Sequence, residues 1–263
     1  MPNENSKDKN NYFSIKISEG LYKIKKYKYI FLILLFISIL IFTSANNIGK
    51  NEDNIRIFYI SICGTFAGAL AAFLLTMIRE SDTKKNKEIV SINFALFILA
   101  RQFRTAIILQ NTCNPHKEKN ELIRAIELPA MRIHDTSDLI FPYGDLSFLL
   151  LEKETVGVLH QLGIAQDSFC QMLEVYNIRN VYYVETIQPI MEEKEITKSP
   201  FTLEEIEKLL GDVKTSIIIS NTNEIYDFIE TCIRVLDKTQ VELIAAGKKV
   251  HPRVKFPKFS KME

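Results

Sequence analysis

Two apolar runs, residues 29–49 and 57–78, constrain this chain most, because neither contains Asp, Glu, Lys, Arg or His. Each exceeds the roughly 20 residues with which a helix crosses a hydrocarbon core. A backbone in lipid must also satisfy its own hydrogen bonds, which a helix does. The pair reads as a transmembrane hairpin over residues 29–78. A cleaved signal peptide fits less well, since the first run starts only after residue 28, is longer than a usual signal core and is followed at once by a second.

Orientation follows from Lys and Arg near the membrane ends. Lys16, Lys23, Lys25, Lys26 and Lys28 precede the first run, and Arg79, Lys84, Lys85 and Lys87 follow the second. The connecting loop has only Lys50 and Arg56. A multi-pass protein with both termini in the cytoplasm is expected. Residues 46–56 are too few to fold into an external sensor.

Composition bears on what hangs from the hairpin. With 33 basic and 32 acidic residues, charge alone gives no reason for a nucleic-acid partner. Nine Gly and eight Pro leave room for long uninterrupted helices. Cys63, Cys113, Cys170 and Cys232 are scattered, and CxxC and His-xxx-His pairs are missing, so neither a disulfide framework nor a metal site is expected. The expected fold is an all-α membrane protein. It comprises a basic N-terminal segment (1–28), the two-helix hairpin (29–78), an elongated antiparallel cytosolic helical bundle (79–247) and a basic tail (248–263).

Periodicity predicts three long helices in the bundle. The first continues out of the second span, because residues 79–110 hold no Pro or Gly, and Ile89, Ile92, Leu96, Leu99, Phe103 and Ala106 step by threes and fours. Val90, Phe94, Phe97, Ile98, Ile107 and Ile108 add apolar surface on other sides, as on a helix buried among several. Asn114-Pro115 ends it; a short helix over 117–126 follows, stopped by Pro129. After the Pro142/Gly144 turn, Asp145 is placed to cap a short helix bearing Leu146, Phe148, Leu149 and Leu150, a plug for one end of the bundle.

The second long helix is expected over 155–188, ended by Pro189. Its seam is Leu159, Leu162, Gln166, Phe169, Leu173, Tyr176, Asn180, Tyr183 and Ile187. Thr202 with Glu205 predicts a capping box, and Phe201 with Ile206 a hydrophobic staple. Gly211 is expected to end that short helix and Asp212 to cap the third long one, 213–246, which Gly247 stops. Ile218, Ile225, Ile229, Cys232, Leu236 and Leu243 would form its inward face.

Three features are candidates for function. Gly64, Gly68 and Ala72 give the second span a flat side on which helix backbones approach closely, belonging either to another copy or to the first span. Gln166 and Asn180 fall on an apolar seam, where buried amides fix register or oligomeric state, or else mark a polar site in the bundle. Lys248, Lys249, Arg253, Lys255 and Lys258, interleaved with Val250, Val254, Phe256 and Phe259, fit anionic lipid, RNA phosphates with aromatic stacking, or a solvated tail. Catalytic signals are sparse. His116, His134, His160 and His251 lack dyad partners in sequence, and neither a Gly-rich phosphate loop nor a Gly-x-Ser-x-Gly elbow is present. Glu192-Glu193 and Glu204-Glu205 fit a solvated linker and a helix cap. No catalytic, cofactor-binding or metal-ligating residue is expected, and no cofactor or small-molecule substrate.

The run Phe94-Ala-Leu-Phe-Ile-Leu-Ala-Arg-Gln-Phe103, the Asn114-Pro-His116 loop, the Asp145-Leu-Ser-Phe-Leu149 turn and Arg179-Asn180, placed after a two-span hairpin, resemble the two-span membrane effectors of bacterial retron-type anti-phage systems. The resemblance covers about residues 57–189 and leaves the region after Pro189 unmatched. It implies a location in the bacterial inner membrane. It also implies an inhibitory partner, a reverse transcriptase with its RNA-linked DNA, whose release leads to membrane damage and arrest of the infected cell. It carries over no catalytic residues.

The leading expectation is thus a non-enzymatic membrane effector that homo-oligomerises through Gly64 and Gly68, touches membrane lipids and receives a cytosolic protein or nucleoprotein partner on its bundle. The alternative is a constitutive membrane scaffold or adaptor for a cytosolic protein. A small channel is a third class, with Ser61, Thr65 and glycine backbone as the available pore lining.

Overall fold

The computed structural model describes residues 53–131, 136–151, 153, 155–193 and 202–258, together with Ile39 and Thr43. The first predicted span, the N-terminal segment, His134, the staple residue Phe201 and the tail residue Phe259 lie outside them. Every element among the described residues is helical. The chain divides into two compact units, 1–83 and 84–263.

Beyond Ile39 and Thr43, the described chain of the first unit is the opening half of α1 (Asp53–Cys113), which is 61 residues long. Ile57, Phe58, Ile60, Ile62, Phe66, Phe73 and Leu75 are all at least half exposed. The stretch has a mean hydropathy of 1.9 with none of it buried, so this helix is long and apolar enough to cross a membrane. Its hydroxyls are satisfied locally: Thr65 donates to the Ser61 carbonyl at 2.9 Å and Thr76 to that of Ala72 at 2.9 Å.

The second unit is a helical bundle. After a short 3-10 turn at Asn114–His116 come α2 (Glu121–Glu127) and the 3-10 helix Tyr143–Leu150. Then follow α3 (Val156–Tyr182), a π-turn (Tyr183–Ile187) and α4 (Gln188–Glu193). α5 (Leu203–Leu210) and α6 (Asp212–Val250) complete it. The main core joins Ile92, Leu96 and Leu99 of α1 to Leu162, Phe169 and Tyr176 of α3 and to Ile225, Ile229 and Leu236 of α6, with Leu146 and Leu149 of the 3-10 helix inserted. A smaller core gathers Leu122, Ile187, Met191, Leu210 and Ile218. The six predicted inward residues of α6 are all buried.

Several predicted ends move. α2 begins at Glu121, because the Asn120 side chain accepts from the Leu122 N–H and caps it there. Asp145 lies inside the 3-10 helix and makes no cap; Pro142 precedes the helix instead. Pro189 does not end the second long helix. The Gln188 N–H reaches back five residues to the Tyr183 carbonyl, and this wide turn relieves the clash a proline ring makes with the preceding turn. Gly211, at φ 74°, both ends α5 and precedes α6, so Asp212 is the first helical residue and makes no side-chain cap. Gly247 is not a stop either. α6 runs on to Val250, the chain turns at His251, and a Cβ on Gly247 would lie 2.9 Å from the Phe256 ring. The glycine is there for close approach.

Two faces also differ from expectation. α1 is not covered on all sides: Ile98 is buried, but Val90, Phe94, Phe97 and Ile108 stay about half exposed or more. On α3 the buried line is Val158, Leu162, Ala165, Phe169, Met172, Tyr176 and Arg179, with Leu159, Gln166 and Leu173 flanking it half-buried. The predicted seam is turned by less than one residue, and the turn brings an arginine into the core.

Candidate functional site

Arg179 is fully buried. Ionised guanidinium without water requires compensation, and here that comes from backbone oxygens. One terminal nitrogen donates to the carbonyls of Ala125 and, at 2.7 Å, Leu128. The other donates to Asn180 Oδ1 at 3.3 Å, and the guanidinium carbon lies 4.6 Å from the Tyr183 ring centre. Asn180 Nδ2 donates to the Met131 carbonyl at 2.9 Å, and the Tyr176 hydroxyl to that of Pro129 at 3.3 Å. Three side chains within about one turn of α3 therefore hold the main chain of residues 125–131.

Burial sets the ionisation here. It pulls the Arg179 pKa down, and it pushes the Cys113 thiol up to about 11 despite the opposing pull of Arg179. Burial also raises Tyr226 to about 12; its hydroxyl donates to the Cys113 carbonyl at 2.9 Å. Burial thus holds the thiol neutral near pH 7, and Tyr176, Arg179 and Asn180 all donate to backbone carbonyls.

The second seam amide behaves similarly. Gln166 Oε1 accepts at 3.2 Å from Gln102 Nε2, which also donates to the Leu139 carbonyl at 2.8 Å. Both amides are thus engaged inside one chain: Asn180 on the connection between α2 and the following 3-10 helix, and Gln166 on Gln102 of α1, which itself holds Leu139 in that connection.

Gly64, Gly68 and Ala72 are exposed, and a Cβ on either glycine would meet no atom within 4 Å. Their side of α1 is open among the described residues.

The tail is described through residue 258. Lys248 and Lys249 occupy the last turn of α6, where cations suit the helix dipole. Arg253, Lys255 and Lys258 are exposed, whereas Phe256 is buried and so is removed from stacking on a nucleobase. His251 Nε2 lies 3.3 Å from the Glu88 carboxylate, with side-chain exposures of 5% and 17%. Within residues 251–256 the tail is solvated at Pro252, Arg253 and Lys255 but not at His251 and Phe256, whose ring fills a glycine-sized recess.

His116 lies 3.7 Å from Glu127, and His160 is exposed. Among the described residues, no three His, Cys, Asp or Glu side chains gather as a metal site. Sequence reasoning missed Arg179 and Gln102 as buried groups and missed the Glu88–His251 contact. Arg179 had a signal, since it extends the alternating steps Leu162, Ala165, Phe169, Met172, Tyr176. The contact between residues 88 and 251 had none.

No family model matches the chain, and neither a curated protein nor a solved structure matches it.

Proposed function

We propose that the chain is a non-enzymatic effector of the bacterial inner membrane in an anti-phage system of the retron type. In this reading α1 and the first apolar run form the two-span hairpin, both termini face the cytoplasm, and the helices beyond it form an antiparallel bundle that receives a protein or nucleoprotein partner. Copies associate through Gly64, Gly68 and Ala72 and perturb the bilayer. The observation that carries the reading is α1 itself. One unbroken helix joins an exposed apolar stretch with an open small-residue side to residues packed in the bundle core. The defence setting rests on the resemblance of residues 57–189.

The test is membrane potential and growth after inducing the chain in a bacterium, beside a Gly64→Leu/Gly68→Leu double variant at matched membrane level. Depolarisation that the double variant lacks is expected, because added side chains block close approach while keeping the span apolar. Undiminished toxicity in the double variant overturns association through these glycines. Harmless expression of both proteins favours the scaffold reading, for which the uncovered strip Val90, Phe94, Phe97 and Ile108 offers a surface to a cytosolic partner.

A further inference from the structure

We propose that the C-terminal tail and the turns of α1 just beyond residue 83 form one binding surface for the headgroups of anionic phospholipid. The inference rests on the reading that α1 spans a membrane.

Two basic segments far apart in sequence meet in the fold. The Phe256 ring is seated on Gly247, Val250 and Val254 pack against the main core, and His251 contacts Glu88. Together these hold the tail beside α1. Within about one turn of Glu88 stand Lys84, Lys85 and Lys87; the tail side adds Lys248, Lys249, Arg253, Lys255 and Lys258. Lys85, Lys249 and Arg253 have interactions within the chain, so the weight falls on Lys84, Lys87, Lys248, Lys255 and Lys258, all exposed. Glu88, the carboxylate at the junction, lies 3.3 Å from His251 Nε2, a charge pair when that imidazole is protonated, and Glu242 on α6 lies 3.8 Å from Lys238.

Position and chemistry then select the ligand. Lys84 is six residues past Ile78 on the same helix, a rise of about 9 Å. That lies near the depth of a headgroup layer and within about a Debye length of its charge. Lysine ammoniums are mobile point charges suited to phosphodiesters scattered over a fluid surface. Nucleic acid is the weaker fit, because Phe256 belongs to the core.

The full chain is reconstituted into vesicles of phosphatidylcholine alone or mixed with phosphatidylglycerol, and lysine acetylation by a permeant reagent is read by mass spectrometry. The expected result is several-fold lower reactivity of Lys84, Lys87, Lys248, Lys255 and Lys258 in the mixed vesicles, reversed by high salt, with Lys238 unchanged. Phe256→Ala should remove the protection by releasing the tail. Lys255→Ala/Lys258→Ala, which leaves the core intact, should weaken protection at Lys84 and Lys248. Equal reactivity in the two lipids overturns the inference; so does protection in phosphatidylcholine vesicles that appears only on adding single-stranded RNA. Alkaline carbonate extraction separates the two levels. A chain that resists extraction but shows no lipid difference loses this inference alone, whereas an extractable chain loses the membrane-spanning reading.

Discussion

The two halves of α1 are almost equally apolar and live differently. Up to residue 83 most of its large side chains are exposed and its glycines open; beyond residue 84 it buries Ile92, Leu96, Leu99 and Leu109, and Gln102 is hydrogen-bonded to Leu139 and Gln166. Apolarity therefore does not distinguish a lipid-facing helix from a core helix. What distinguishes them is polar groups at helical spacing. The second half interleaves Arg101, Gln102 and Arg104 among its apolar residues, and Gln102 has a place to spend its donors. Over residues 57–78 the first half carries no charged or amide side chain, and the Thr65 and Thr76 hydroxyls bond back into their own helix.

The strongest way to test the contrast between partnered and unpartnered positions is Arg179→Ala. It leaves the Ala125 and Leu128 carbonyls without their buried donor, and a loss of about 3–5 kcal/mol is expected in chemical unfolding followed by circular dichroism. A loss below about 1 kcal/mol would show that the guanidinium is dispensable. Next, Leu96→Ala should cost about 2–5 kcal/mol by opening a cavity, while Leu75→Ala in the first half should cost less than about 0.5 kcal/mol in detergent. Equal costs would erase the distinction between the halves.

Thiol labelling gives a third comparison. Burial raises Cys113 from 9.0 to about 11 and Cys232 to about 12, so at neutral pH thiolate at Cys113 falls about 100-fold below that of an ordinary thiol. Maleimide should modify exposed Cys170 in the folded chain and reach Cys113 and Cys232 only after unfolding. Fast labelling of Cys232 would contradict its burial against α3.

The smallest effect is at the edge of the bundle. Thr202 and Glu205 form the predicted capping box, with the Thr202 N–H donating to Glu205 at 2.8 Å. Thr202→Ala should cost about 1 kcal/mol at neutral pH. Hydrogen bonds from Thr202 lower the Glu205 pKa from 4.5. The carboxylate's contribution is therefore present above 4.5 and fades as pH falls through the lower folded value, and the penalty of Thr202→Ala should shrink in acid. A penalty independent of pH would mean that the cap works without the carboxylate.

Much of this fold was legible because helical spacing is a local property. The continuous α1, the inward face of α6 and the Thr202 cap each follow from residues a few positions apart. The errors share a cause: Pro189 and Gly247 were read as stops by local rules, but each is accommodated by something distant or irregular, a five-residue turn upstream of the proline and a ring from nine residues beyond the glycine. Asn180 was visible as a polar residue on a seam, yet its partner, the Met131 carbonyl, lies in a connection with no periodicity. The open side of Gly64 and Gly68 was readable as a small-residue spacing, and the copy or span that it faces was not.

The Arg179 cluster has one more consequence. Its grip on residues 125–131 closes on main-chain oxygens, which every amino acid supplies alike. The fastener is thus indifferent to the spelling of the strap. As such a chain diverges, the exposed positions of this strap, Glu127, Pro129 and Ala130, are free to drift at little structural penalty, while Leu128, buried in the core, and Tyr176, Arg179 and Asn180 are not. A surface held in this way can change what it presents to a partner without loosening from the body that carries it.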